Sequence, residues 1–202
     1  SDVAFADGIY SIAGTDRQLT FVRIAKEAYA PFNLDGAGLE PGLDETAFYD
    51  PLNFNFPYAT YICEVEVDPE TGETDIVRFT AVDDVGNIIN PMIVDGQVHG
   101  GVATGIGQAI LENTVYDEMG QLVSGSLMDY TLPRADDVPN IDTENTVTPC
   151  PLNPLGVKGV GEIGAIGTPP AVINAVVNAL GEFGVEHVDM PATPQKIWQA
   201  IQ

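Results

Sequence analysis

The sequence predicts a mixed α+β fold in which β-hairpins and packed helices are segregated rather than regularly alternating. Three observations support this class. A run rich in Val, Ile, Thr and Tyr turns back on itself over residues 58–86, apolar residues recur at helical spacing over 94–110, and an apolar helical pattern fills 169–183. Because hydrophobic residues make up 45% of the 202-residue chain and charged residues 18%, a sizeable core can form.

The first 57 residues are expected to be an irregular lead-in. The alternating stretch 3–12 contains an Asp-Gly pair and predicts a hairpin. Residues 15–29 predict a short helix with Thr15 or Asp16 as its N-cap. Residues 31–57 are rich in Pro, Gly, Asp and Asn, which predicts a long irregular loop. The core of the chain is therefore expected in residues 58–202.

The core region opens with the clearest hairpin of the chain. Two strand-like runs within 58–86 flank the turn DPETGE at 68–73. A helix is predicted next, with Asn90 as N-cap and Pro91 in its first turn. Its apolar positions recur with the helical period, at residues 94, 98, 102, 106, 109 and 110.

Five glycines interrupt this predicted helix, at positions 96, 100, 101, 105 and 107. Each costs about 1 kcal/mol relative to alanine in a helix interior. Such a cost is tolerated where something must approach the backbone closely. A packed helix, a strand and a ligand all remain possible.

The last third of the chain predicts a β segment at 115–132 around a turn at 118–120, and a loop at 136–156. A helix is then expected with Thr168 as cap and Pro169 in the first position, ending at Gly181 or Gly184. A short helix over 193–201 closes the chain.

Charge and composition exclude several classes of protein. Thirty acidic residues face seven basic ones, a net charge of −23, which disfavours nucleic acids and anionic membranes as partners. Cys63 and Cys150 lie far apart and form no paired motif, so neither a zinc site nor a disulfide framework is expected. No apolar run is expected to reach the roughly 18 residues of a membrane span, and no signal peptide is recognisable, so a cytoplasmic location is expected.

One carboxylate, Glu162, stands in an apolar run directly after a glycine-rich segment, residues 156–161, which we call the glycine loop. Glycines let backbone approach a ligand closely, and a following helix N-terminus favours an anion. Lys158 in this loop is the only basic residue between Arg134 and Lys196. From spacing alone Glu162 is either a surface residue on a flexible loop or a general base in an apolar setting.

Three ordered motifs decide between these alternatives. The stretch 156–176, GVKGVGEIGAIGTPPAVINAV, closely resembles the C-terminal signature of the molybdenum hydroxylases, the family of xanthine dehydrogenase, aldehyde oxidase and aerobic carbon monoxide dehydrogenase. Residues 83–112 resemble that family's pattern of NP, GQ, paired glycines and a final Glu, and 125–139 and 62–84 resemble its bacterial large subunits. The resemblance covers about residue 50 to the end.

The resemblance implies roles for individual residues. Glu162 is implied to be the active-site base that takes a proton from the water that hydroxylates the substrate. Gln97 is implied to contact the pterin of the cofactor, for which an amide supplies both donor and acceptor. Gly100, Gly101 and Lys158 are implied to lie close to the cofactor. Molybdenum is expected to be held through the pterin, without a protein ligand.

The same resemblance implies an oxidoreductase with molybdopterin cytosine dinucleotide, whose partners carry [2Fe–2S] clusters and FAD. Because large subunits of this family are several times longer than this chain, we expect a C-terminal portion of one that does not retain molybdenum alone. Carbon monoxide enzymes carry a Ser-Pro-His type sequence just after the glutamate, where this chain has Ile163, Gly164 and Ala165. An aldehyde or N-heterocycle is therefore the expected substrate. Carbon monoxide is the alternative substrate, and a non-catalytic assembly domain is the alternative class.

Overall fold

The computed structural model describes residues 2–30 and 38–202 of the chain, which divide into two compact units, Ser1–Asp50 and Pro51–Gln202. Each unit is described by itself. The second unit carries all the residues singled out above as candidates for function.

The first unit is a small antiparallel sheet followed by one helix. Its strands β1 (Val3–Ala6), β2 (Ile9–Ile12) and β3 (Gln18–Thr20) pair in chain order. Asp7 and Gly8 both have positive φ, at 50° and 77°, as a tight two-residue hairpin turn requires, so the predicted hairpin is confirmed.

Helix α1 (Phe21–Ala28) begins later than predicted. Its N-cap is Thr20, whose hydroxyl accepts a hydrogen bond from the Arg23 backbone N–H at 3.2 Å. The prediction of Thr15 or Asp16 as N-cap was wrong because pairing with β2 draws residues 18–20 into a strand. Of the predicted loop 31–57, residues 31–37 lie outside the described part, and 38–57 form neither helix nor strand.

The second unit is built on a three-stranded sheet. Strands β4 (Tyr58–Val67) and β5 (Thr74–Asp84) form the predicted antiparallel hairpin, with a register shift between Glu64 and Val65. Strand β6 (Ile141–Thr146) pairs with β5 in parallel, although a loop was predicted there. Because β6 is an edge strand of polar residues, Ile-Asp-Thr-Glu-Asn-Thr, its sequence lacks the apolar alternation that signals a strand.

Helix α2 (Pro91–Ile106) begins as predicted after Asn90, whose side chain accepts a bond from the Ile93 backbone N–H. It continues as one turn of π-helix over Gly107–Leu111. All six predicted core positions are buried: Val94, Val98, Val102, Ile106, Ala109 and Ile110. The periodic pattern therefore identified the buried face of α2 correctly.

Helix α3 (Ile163–Ala179) begins before the predicted cap, so Thr168, Pro169 and Pro170 lie inside it. Gly164 in the first turn packs closely against α2, although prolines disfavour helix in the turn before them. The helix passes into a 3₁₀ turn, Leu180–Phe183, and Gly184 ends it with a φ of 76°, as predicted. Helix α4 (Pro194–Ile201) closes the chain as expected.

The predicted β segment at 115–132 is not a strand pair. Within this described stretch a single bridge joins Tyr116 to Leu122 across a turn in which the Asp117 carboxylate accepts bonds from the backbone N–H groups of Met119 and Gln121. A 3₁₀ turn, Ala135–Asp137, follows. Two backbone hydrogen bonds, from Asp117 to Gln121 and from Val123 to Val115, join the two sides of this turn without a continuous ladder.

The core lies where α2 and α3 pack together and α3 packs on β4. The continuous helical stretch Ile163–Phe183 is 21 residues long with a mean hydropathy of 1.4, long and apolar enough to cross a membrane. The expectation that no run reaches this length was wrong. Buried core helices meet the same criteria, and α3 buries Val172 and Val176 inside the unit.

Candidate functional site

Glu162 occupies the N-cap position of α3, and its side chain makes no capping hydrogen bond with the described residues. It is exposed within this unit, so the apolar enclosure expected from its sequence neighbours is not formed by these residues alone. The carboxylate is therefore available to other groups. It also lies at a helix N-terminus, where the partial positive charge of the helix favours an anion.

A pocket of about 560 Å³ lies beside Glu162. One wall is the segment Asn55–Ala59, and the other is the end of the glycine loop with the first two turns of α3. The Asn55 side chain accepts a hydrogen bond from the Gly159 backbone N–H at 3.2 Å and joins the two walls. Among the described residues that line the pocket, Glu162 is the one acidic residue, and the rest of the lining is mostly apolar.

Gln97 lies next to the glycine loop although it is far from it in sequence. A Cβ placed on Gly161 would lie 3.7 Å from Gln97 Oε1, and the Gln97 side chain is exposed on α2. The structure therefore brings the amide predicted to contact the cofactor to the residue directly before Glu162.

The glycines of α2 have different surroundings. A Cβ on Gly101 would lie 2.8 Å from Gly164 Cα, and one on Gly105 would lie 2.5 Å from Thr168 Cβ. A Cβ on Gly100, in contrast, would have none of the described heavy atoms within 4 Å. Packing against α3 accounts for Gly101 and Gly105, whereas Gly100 leaves backbone open for a further group.

Lys158, expected near the cofactor, forms a buried ion pair. Its ammonium donates to Asp84 Oδ1 at 2.7 Å and lies 4.0 Å from the centre of the Tyr58 ring. The side chains of both ion-pair partners are almost fully buried, with 7% of Lys158 and 2% of Asp84 exposed. Lys158 does not line the pocket. The buried Asp84 carboxylate therefore balances the charge of Lys158 within the unit.

Asp84 accepts further hydrogen bonds besides the one from Lys158. Its carboxylate accepts bonds from the backbone N–H groups of Gly86 and Thr148, each at 3.1 Å, and from the Thr146 hydroxyl at 3.2 Å. Burial alone would raise the pKa of Asp84, but the bonds from Lys158, Thr148 and Gly86 outweigh it and hold this pKa well below its usual range. Burial opposes the charge of Lys158, but the hydrogen bond to Asp84 raises its pKa overall. Both groups are therefore charged at neutral pH.

The next carboxylate, Asp83, faces the other side of β5 and was not predicted as a feature. Tyr61 donates its hydroxyl to Asp83 Oδ1 at 3.0 Å. Asp83 Oδ2 and Thr168 Oγ1 are buried without a hydrogen-bond partner among the described residues. Burial raises the pKa of Asp83, and it raises the pKa of the Tyr61 hydroxyl as well. The sequence contained one sign of this buried carboxylate, which is that two acidic residues, Asp83 and Asp84, follow an apolar strand-like run.

One hydrogen bond joins two of the family-like motifs, residues 83–112 and 125–139. The Tyr130 hydroxyl donates to the Glu112 carboxylate, and this bond raises the Tyr130 pKa. The Glu112 carboxylate also occupies the space where a Cβ on Gly107 would lie. Gly107 is therefore explained by this contact, since any side chain there would displace Glu112.

The remaining candidates have local roles. His99 is exposed, and its Nδ1 contacts the Asp95 carbonyl oxygen at 2.7 Å. Cys63 and Cys150 are both free, and burial raises the pKa of the Cys63 thiol to about 11. Residues 2–30 and 38–202 contain no group of three His, Cys, Asp or Glu side chains placed to hold a metal ion.

This α+β core places an exposed amide, that of Gln97, beside the glycine loop that leads to Glu162. Residues 1–139 match the family described as the molybdopterin cofactor-binding domain. Because the match covers more than half of the chain, the chain belongs to the molybdopterin cofactor-binding domain family.

Individual relatives agree with this assignment. The chain is 42% identical to the carbon monoxide dehydrogenase large chain of Hydrogenophaga pseudoflava over 96% of its own length and 24% of the relative's. It is 38% identical to the nicotine 6-hydroxylase large subunit of Paenarthrobacter nicotinovorans over its full length and 25% of that protein. The structure matches quinoline 2-oxidoreductase from Pseudomonas putida 86 with a TM-score of 0.92 and 40% identity, over 100% of this chain and 26% of that one. The chain thus spans about a quarter of the length of these relatives.

Proposed function

We propose that this chain is part of the large subunit of a molybdenum-dependent hydroxylase that oxidises an aldehyde or an N-heterocycle with water as the source of oxygen. The observation that carries the proposal is the meeting of Gln97 with Gly161, directly before Glu162. It joins two of the family-like motifs in one place and leaves the Glu162 carboxylate free of capping bonds.

The residues present suit a molybdopterin cofactor. Gln97 offers an exposed amide that can donate to and accept from the polar edge of a pterin. Gly100 leaves its backbone open to close approach. When bound, the cofactor supplies the two-electron acceptor for substrate oxidation. We propose molybdopterin cytosine dinucleotide as its form, with Gln97 and Gly100 as contacts. Gly101 and Lys158 are proposed to lie close to the cofactor without touching it, since Gly101 packs against α3 and Lys158 is ion-paired with Asp84.

Glu162 is proposed as the base that accepts the proton of the attacking water. A free carboxylate at the edge of an apolar pocket can do this, since it is neither capped nor ion-paired with a described residue. The pocket is lined mostly by apolar groups, which suit an uncharged organic substrate.

Carbon monoxide oxidation is the second candidate activity, and the 42% identity to a carbon monoxide dehydrogenase large chain favours it. The match to quinoline 2-oxidoreductase over the whole chain and the pocket of about 560 Å³ favour an organic substrate. Assays of the intact enzyme with carbon monoxide, an aromatic aldehyde and quinoline separate the two activities. Turnover of carbon monoxide alone would overturn the organic substrate.

The proposed partners are the remainder of the large subunit and subunits that carry [2Fe–2S] clusters and FAD, in the cytoplasm. Exposed apolar side chains in the second unit support a covering partner: Leu52 is 84% exposed and Phe54 82%. We expect the isolated 202-residue chain to retain no molybdenum. Stoichiometric molybdenum on the isolated chain, measured by metal analysis, would contradict this expectation.

The decisive experiment is Glu162→Gln in the complete enzyme, with the exposed Glu186→Gln as matched control. The amide keeps the shape and removes the base, so turnover should fall by about two to four orders of magnitude while molybdenum content stays unchanged. The control should retain normal turnover. Full activity of Glu162→Gln would instead support a non-catalytic assembly domain.

A further inference from the structure

The glycine loop is tied to strand β5 by both the backbone and the side chain of one residue. The Lys158 backbone N–H donates to the Val85 carbonyl at 2.8 Å, and its ammonium donates to Asp84 at 2.7 Å. The neighbouring Gly156 carbonyl accepts bonds from the backbone N–H groups of Asn87 and Cys150, each at 3.0 Å. The first half of the loop is therefore fixed to the end of β5.

Beyond Lys158 two contacts hold the loop: the Gly159 backbone N–H donates to the Asn55 side chain at 3.2 Å, and Val160 packs against the core. Only Gly159, Val160 and Gly161 separate Lys158 from Glu162. A Cβ on Gly159 would meet none of the described heavy atoms within 4 Å, and glycine permits many backbone conformations. The place of Glu162 therefore depends on Lys158 before this short segment, on the contacts of Gly159 and Val160 within it, and on the packing of α3 on α2 after it.

Lys158 also supports the opposite wall of the pocket. Its ammonium lies over the ring of Tyr58, and Tyr58 lines the pocket together with Glu162. A cation over an aromatic face is attractive, and more so when water is excluded. One buried ion pair thus contacts both the strand that carries Tyr58 and the loop that leads to Glu162.

We propose that Asp84 and Lys158 form a positioning pair, which holds the glycine loop and the Tyr58 wall in register so that Glu162 faces the pocket beside Gln97. Neither residue is proposed to touch substrate or cofactor. The proposal rests on the role proposed for Glu162, but the holding of the loop can be measured without it.

The test uses the complete enzyme with the double substitution Asp84→Asn and Lys158→Met. This change removes both charges at nearly constant shape, whereas either single change leaves a buried charge without its partner. The matched control is Asp142→Asn with Arg78→Met, an ion pair of 2.9 Å on the same sheet whose side chains are more than half exposed. Surface pairs of this kind contribute little to stability.

Hydrogen exchange of the peptide 156–162 gives a readout that does not depend on turnover. We expect exchange in this peptide to accelerate at least about ten-fold in the double variant, with exchange in β5 unchanged. We also expect kcat to fall by up to about a hundred-fold while KM changes by less than about two-fold, because displacement of a catalytic group by an ångström costs this much. The control variant should change neither readout.

Other outcomes overturn the positioning role. Normal exchange overturns it whatever the turnover, since the pair then does not hold the loop. Faster exchange with normal turnover also overturns it, since the holding is then irrelevant to the site. Full turnover of Glu162→Gln, in contrast, would refute the role of Glu162 and leave the exchange result to decide whether the pair holds the loop.

A second variant tests the proposal even where the double variant does not assemble. Tyr58→Leu removes the ring beneath the ammonium at a half-exposed position and leaves the ion pair intact. We expect smaller acceleration in peptide 156–162, about two- to five-fold, since one of the three contacts of Lys158 is lost. Unchanged exchange in Tyr58→Leu would overturn the link between the ion pair and the pocket wall.

Discussion

Gly101 of α2 and Gly164 of α3 touch across the helix crossing: a Cβ on Gly101 would lie 2.8 Å from Gly164 Cα and 2.9 Å from the Ala165 nitrogen. Backbone cannot yield as a flexible side chain can. This contact sets how closely α3, and with it Glu162 at its N-cap, approaches the helix that carries Gln97.

Gly101→Ala should therefore destabilise the protein by about 1–3 kcal/mol through overpacking at the helix crossing. Gly100→Ala is the matched control, since its added methyl meets none of the described atoms and removes a helix glycine, a gain of up to about 1 kcal/mol. Chemical denaturation of both variants measures the difference. An equal free energy of unfolding for the two variants would refute the close helix crossing.

In the cofactor-loaded enzyme, the proposed contact of Gly100 predicts that Gly100→Ala reduces cofactor retention.

Thr168→Val should stabilise the protein by about 1 kcal/mol, because it replaces a buried hydroxyl without a described partner by a methyl of the same shape. Thr104→Val on the facing helix is the control, since the Thr104 hydroxyl is exposed and donates to the Gly100 carbonyl at 2.9 Å. The control should lose a few tenths of a kcal/mol at most, roughly the value of one exposed hydrogen bond. Loss of stability in Thr168→Val would show that this hydroxyl has a partner in the intact protein.

Asp83→Asn should raise the melting temperature at neutral pH more than at acid pH. The pKa of Asp83 is raised in the folded state, so its contribution to stability is complete below the ordinary carboxyl pKa of about 3.9 and decreases as pH rises through the folded pKa. The amide introduced by Asp83→Asn does not ionise, so this loss of stability with rising pH is absent. Its oxygen can still accept a hydrogen bond from the Tyr61 hydroxyl. Thermal unfolding between pH 4 and pH 8 of the natural protein and the variant would show curves that diverge with rising pH. Parallel curves would contradict the raised pKa.

The stability of the protein should fall in acid because of Asp84, which is the opposite pH dependence from that of Asp83. The folded-state pKa of Asp84 is lowered, so its stabilising contribution is present above about pH 3.9 and is lost as pH falls toward the folded value. At neutral pH Asp84→Asn should be less stable than the natural protein, because Lys158 loses its charged partner. This difference in stability, the gap between the two proteins, should become smaller in acid. Asp142→Asn, at an exposed ion pair, should show a much smaller gap. A gap for Asp84→Asn that does not change with pH would contradict this account.

Local patterns sufficed where a residue's neighbours in the chain determine its structure. The helical period predicted all six buried apolar positions in α2 and the π-helical turn that follows it, and the Asp7-Gly8 pair predicted its hairpin turn. Elements that depend on distant residues were predicted less well. Strand β6 was missed because its backbone pairs with β5 some sixty residues away, while its polar side chains carry no strand signal.

The site divides in the same way. The sequence by itself determined the α+β class, the family resemblance and the candidates Glu162 and Gln97, because these rest on composition, period and ordered motifs. Only the tertiary structure placed Gly161 beside Gln97, exposed Glu162, and turned Lys158 toward Asp84, which lies 2.7 Å from it and far away in the chain. A buried charge takes whichever opposite charge folding brings to it, and no local pattern contains that choice.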